Sequence, residues 1–113
     1  MIRGTTPTIT MKLPSNVAVG NIATARVSIQ QVGRKDKIDK MYYKKPDEEH
    51  ISEMTKDEVN NCLMVKLTQE DTLSLFARKT TNLQLMVKME DGTVTATSLM
   101  PLAVVDTINE EGI

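Results

Sequence analysis

The chain has 113 residues, 40% of them hydrophobic and 26% charged, which fits one globular domain and excludes a disordered segment. A net charge of −1 and only three aromatics (Tyr42, Tyr43 and Phe76) supply neither the basic surface nor the stacking platforms of a nucleic-acid binder. The single cysteine, Cys62, excludes an intrachain disulfide. No apolar run approaches the ~20 residues of a membrane-spanning helix, so a protein made in the cytoplasm is expected.

The first element is an alternating run in which Ile9, Met11 and Leu13 interleave with Thr8, Thr10 and Lys12. Pro7 and Pro14 bracket it, and proline at the ends rather than inside fits an edge or first strand. Ala23, Ala25, Val27 and Ile29 then alternate with Thr24, Arg26, Ser28 and Gln30, the pattern of a half-buried antiparallel strand. Gly33 is expected to turn the chain, with residues 38–44 returning as a strand. Residues 46–58 read as helix or loop. Leu63, Val65 and Leu67 alternate with Cys62, Met64 and Lys66 in a further strand.

Thr68 is followed three residues later by Asp71, close to a capping box, so one short helical turn is expected across 68–76. Leu83, Leu85, Val87 and Met89 line one face of the next strand. Asp91-Gly92 supplies a positive-φ turn, and residues 93–99 run back with strong β propensity. Pro101 predicts a bulge or a switch into a last strand over 102–108, before a frayed tail at 109–113. Six or seven short strands must bury a face. The expectation is an all-β fold, a single immunoglobulin-like antiparallel β-sandwich over 1–113 with one short helical turn, against a partly open barrel as the competitor.

Charge is unevenly distributed. Residues 1–32 carry Arg3, Lys12 and Arg26 and no acid, while residues 89–113 carry five acids and no base. Between them Arg34, Lys35, Lys37, Lys40, Lys44 and Lys45 outnumber Asp36 and Asp39, and six acids from Asp47 to Glu58 follow with only Lys56 opposing. Two readings follow. First and last strands lie side by side and the middle segments fold onto each other, pairing charges within the chain. Alternatively, oppositely charged ends of neighbouring subunits steer assembly, head to tail if a ring forms.

His50, the only histidine, sits in the charged segment 46–50 and reads as a solvated loop residue. One His and one Cys do not make a metal site, and Asp47, Glu48 and Glu49 lack calcium-loop spacing. Cys62 reads as a small buried residue. The eight methionines read mostly as core filling, but Met86 stands on the face opposite Leu85 and Val87 and suits an interface. The five isolated glycines form no phosphate loop. No catalytic residue, metal ligand or cofactor site is expected.

The opening Ile2-Arg-Gly-Thr-Thr-Pro-Thr-Ile9 followed by Leu13-Pro14, together with Val65-Lys-Leu-Thr-Gln-Glu-Asp-Thr72, resembles a family of small proteins encoded in phages and prophages of Gram-positive bacteria. The chain departs from that family between about residues 33 and 61, where it has a longer charged segment. The family is similar in strand pattern to the N-terminal sandwich of baseplate upper proteins. The resemblance implies a non-enzymatic virion protein of the tail or baseplate, made in the host bacterial cytoplasm. Its partners would be other virion proteins or itself, with no nucleic acid, membrane or small-molecule substrate. The alternative is a small phage-encoded protein that binds and inhibits a host defence or regulatory protein. The opening motif reads either as a turn that starts the first strand or as an N-terminal arm that docks on a neighbouring subunit, with candidate contact residues Arg3, Gly4, Thr5, Thr6 and Pro7. In the charged segment they are Arg34, Lys35, Lys37, Lys40, Lys44, Lys45, Asp47, Glu48 and Glu49.

Overall fold

The computed structural model describes residues 1–2, 4–76, 79–96 and 100–101. The expected contact residue Arg3, part of the return strand (97–99), the last strand (102–108) and the tail lie outside these. The elements are β1 (Thr8–Lys12), a 3-10 turn (Val19–Asn21), β2 (Ile22–Gln31), β3 (Lys37–Tyr43), β4 (Met54–Asp57) and β5 (Cys62–Lys66). After them come α1 (Gln69–Leu73), β6 (Thr81–Met89), β7 (Val94–Ala96) and β8 (Met100–Pro101).

They form two antiparallel sheets, β1-β5-β4 and β3-β2-β6-β7, with β8 pairing further along β6. The all-β sandwich expected from the alternating patterns is what forms. The immunoglobulin arrangement sets its second and third strands in opposite sheets, a connection not used between β2 and β3, which pair directly. The partner of β1 among the described residues is β5.

The inward faces explain the packing. Leu63 and Val65 of β5 and the adjoining Leu67 are fully buried from one sheet, and Val27 and Ile29 of β2 with Leu83, Leu85 and Val87 of β6 close the core from the other. Each such side chain contributes about 1.5–3 kcal/mol on removal from water. Ala23 does not take the inward place its spacing suggested. The β2–β6 register slips between Ile22 and Thr24, so Ile22 turns inward and is fully buried while Ala23 is half-buried.

Residues 46–58 are not helix or loop throughout, because β4 pairs along β5 and buries Met54. The β4–β5 turn ends on Asn61, whose φ of 55° is the left-handed conformation that asparagine tolerates. Its side chain staples the approach to β2, accepting from the Val19 N–H (2.8 Å) and donating to the Val17 carbonyl (2.9 Å).

The helical turn is capped as expected. Thr68 Oγ1 accepts from the Asp71 N–H (3.0 Å), and Asp71 Oδ2 accepts from the Thr68 N–H (2.9 Å). The last hairpin turns through three residues rather than two. Met89 N–H bonds Thr93 O, Gly92 N–H bonds Met89 O, and Gly92 alone takes positive φ (92°). β7 and β8 both pair with β6, Met86 facing Ala96 and Leu83 facing Met100, while the bulge or strand switch expected near Pro101 involves residues outside the described ones.

Candidate interaction surfaces

The opening segment and the segment leading into α1 meet in space. Gly4, at φ 79°, donates its N–H to Thr72 Oγ1 (2.9 Å), and its carbonyl accepts from Gln69 Nε2 (2.9 Å). The Thr72 hydroxyl reaches the Thr5 carbonyl at 2.8 Å. Leu67 N–H bonds the Pro7 carbonyl (3.0 Å), where the β1–β5 ladder begins. The backbone of Gly4, Thr5 and Pro7 is held by the chain's own α1 and β5, as in the strand-starting-turn reading, while Thr5 and Thr6 are exposed.

The charged segment is likewise partly committed within the chain. Arg34 donates to the Ser74 carbonyl (2.6 Å) and to Gln31 Oε1 (3.2 Å), and its guanidinium lies 4.5 Å from the centre of the Phe76 ring. Lys40 stands on the inward side of β3 at the edge of the sandwich. Its Nζ meets Asp71 Oδ2 at 2.9 Å and Glu53 Oε2 at 3.6 Å, with the side chain only 14% exposed. Lys44 bonds the Gly20 carbonyl (2.7 Å) and the Glu90 carboxylate. These three expected contact residues brace the fold within the chain. The two middle segments do fold onto each other at Lys40–Glu53 and where Glu53 N–H bonds Met41 O (2.7 Å). Lys35, Lys37, Lys45, Glu48 and Glu49 are exposed.

The Asp71–Lys40 pair carries the clearest electrostatic signature. Burial pushes the Asp71 carboxyl up, but the Thr68 N–H and the Lys40 ammonium outweigh it and hold the carboxyl below its ordinary value. Burial lowers Lys40, and Asp71 with Glu53 reverses that to a raised value.

Asp47 is folded into its own loop. Its Oδ1 accepts from the Glu49 and His50 N–H groups (2.9 and 2.7 Å) and lies 3.0 Å from His50 Nδ1. The His50 and Glu49 hydrogen bonds lower its carboxyl pKa. The His50 ring meets Tyr43 edge-on, and buried Cys62 donates its thiol to the Asn60 carbonyl. Among the described residues no group of three or more His, Cys, Asp and Glu is placed to hold a metal, and no helix is long and apolar enough to cross a membrane.

What the sandwich leaves outside is more informative. The outer face of the β3-β2-β6-β7 sheet should be polar. Yet one cross-strand row runs Met41, Arg26, Met86, Ala96 and the next runs Tyr43, Thr24, Lys88, Val94. Met86 is 39% and Val94 58% exposed, and they border an open groove of ≈ 320 Å³ shared with Met41, Arg26 and Lys88. Met86 was legible from its place opposite Leu85 and Val87. Met41 and Val94 were missed, because only the register of three strands shows that they share its face. No protein-family model matches the chain, and no curated protein matches it in sequence.

Proposed function

We propose that this chain is a non-enzymatic structural module of a phage tail or baseplate, holding subunits together through its sheet surface. It is made in the host bacterial cytoplasm and carried in the virion. The observation that carries the reading is the methionine- and valine-bearing outer face of the larger sheet. Apolar side chains left partly exposed among the described residues gain further burial against a partner protein. The resemblance to small phage proteins supports the same reading, since its two segments pack on each other through Thr72 and so belong to one structural unit.

The test is mass spectrometry of particles purified after growth or induction of a strain that carries the gene. The expected result is recovery at a fixed ratio to the tail proteins. Absence from intact particles refutes the reading. Capture of one host defence or regulatory protein by the chain expressed alone would favour an inhibitor instead.

A further inference from the structure

The β4–β5 turn holds an apolar side chain where a hairpin turn ordinarily carries polar ones. Val59 is 92% exposed at its tip. It is held there firmly: Asp57 Oδ1 accepts from the Val59 and Asn60 N–H groups (3.1 and 3.2 Å), and Asn60 Nδ2 donates to Asp57 Oδ2 (2.7 Å). Asn61 ties the base of the turn to the backbone of Pro14 and Val17. The result is an ordered apolar knob flanked by the Asp57 carboxylate, which caps the turn through neutral donors and keeps its charge, and by Glu58, which pairs with Lys56 at 3.0 Å.

The outer face of the other sheet has the complementary chemistry. Its groove is lined by Met41, Met86 and Val94, with Arg26 and Lys88 beside them. Neither cation has an acid directly across the ladder. Arg26 faces Met41 and Met86, and Lys88 faces Thr24 and Val94. Glu90, further along that sheet, is paired with Lys44. The groove faces away from the sheet that carries the knob, so one chain cannot fill its own groove.

We infer that the Val59 turn of one copy inserts into the Met41/Met86/Val94 groove of a second copy, with the Asp57 carboxylate on the side of Arg26 and Lys88. Knob and groove are different surfaces, so the contact is heterologous and propagates to a ring or a filament. This deepens the assembly role proposed above and stands apart from it in test. A chain that stays monomeric overturns the contact without touching recovery in particles, and absence from particles leaves the contact intact.

The experiment is sedimentation velocity on the full chain over a range of concentrations at low and high salt. Wild type forms a ladder of species that salt weakens. Val59→Ser removes the knob and Met86→Glu blocks the groove; each weakens self-association roughly tenfold or more, the loss of one buried apolar side chain. Both residues are exposed, so unchanged circular dichroism is expected. Val94→Asp is a second groove variant should Met86→Glu unfold. Mixing V59S with M86E leaves one intact groove and one intact knob, and gives a one-to-one dimer that grows no further. Monomeric wild type at every concentration, association unaffected by V59S or by the groove variants, or a mixture that stays monomeric would each overturn the inference.

Discussion

Replacing Thr72 by valine removes one oxygen at nearly constant volume and so isolates what the hydroxyl does for the N-terminal segment. Thr72 is fully buried, and its Oγ1 accepts from Gly4 N–H at 2.9 Å and reaches the Thr5 carbonyl at 2.8 Å. Valine leaves both backbone groups without these partners. Each bond is worth about 0.5–1.5 kcal/mol net, so the expected loss is roughly 1–3 kcal/mol. For a domain of this size that lowers Tm by roughly 4–12 °C. Thr72→Ser keeps the oxygen and loses a methyl, about 0.8 kcal/mol of burial, so it should fall between wild type and T72V. Thermal denaturation followed by circular dichroism gives the order. Hydrogen exchange should show faster exchange at residues 4–7 in T72V with β6 unchanged. A T72V melting point within ~2 °C of wild type, well short of that estimate, would refute the account. So would T72S proving as damaging as T72V.

Two further substitutions probe the cross-braces. Asp71→Asn removes the charge that Lys40 meets at 2.9 Å and should cost roughly 1–2 kcal/mol at neutral pH by urea denaturation. Because the folded pKa of Asp71 is depressed, its contribution is fully present above the unfolded value of about 3.9 and is lost as pH falls through the lower folded value. The wild-type and D71N stability curves should therefore run parallel near neutrality and converge in acid; a constant gap down to the acid limit contradicts the pairing. Gln31→Leu deletes a buried amide that accepts from the Phe76 N–H (2.9 Å) and donates to the Phe76 carbonyl (2.7 Å) and Thr81 Oγ1 (3.0 Å). It should lower the urea midpoint by the equivalent of roughly 2–4 kcal/mol with an unchanged slope, and a neutral result would show these groups reach water.

The elements read correctly in advance were those whose local chemistry and tertiary role agree. The alternation at 8–13, 62–67 and 83–89 matched one buried face each, the Thr68–Asp71 spacing capped a real turn, and Gly33 and Gly92 take the positive φ their turns need. β4 was illegible because only Met54 of its four residues enters the core, too little for a period to show. Ala23 misled because a bulge is a property of two strands, not one. Lys40 misled because a lysine in a charged run reads as solvent-facing, whereas the sandwich edge offered it Asp71. Of the expected contact residues, Arg34, Lys40 and Lys44 also bond within the chain, while Met86 is exposed where its parity placed it.

That redistribution moves the weight of recognition from charge to apolar surface. A cation already bonded in the chain must break those bonds to serve a second partner, and an exposed ion pair returns only about 0–1 kcal/mol. Lys40 and Lys44 therefore gain little by leaving Asp71 and Glu90. Burying an exposed valine or methionine returns about 1.5–3 kcal/mol, so Val59, Met86 and Val94 have more to gain from a partner than any residue of the charged segment. Arg26 and Lys88 then have the task that rim charges perform best, orienting the approach and raising the association rate. Affinity in this arrangement is apolar, and its specificity is electrostatic. Added salt should consequently slow assembly more than it speeds dissociation, whereas an interface built on the charged segment would lose its affinity outright.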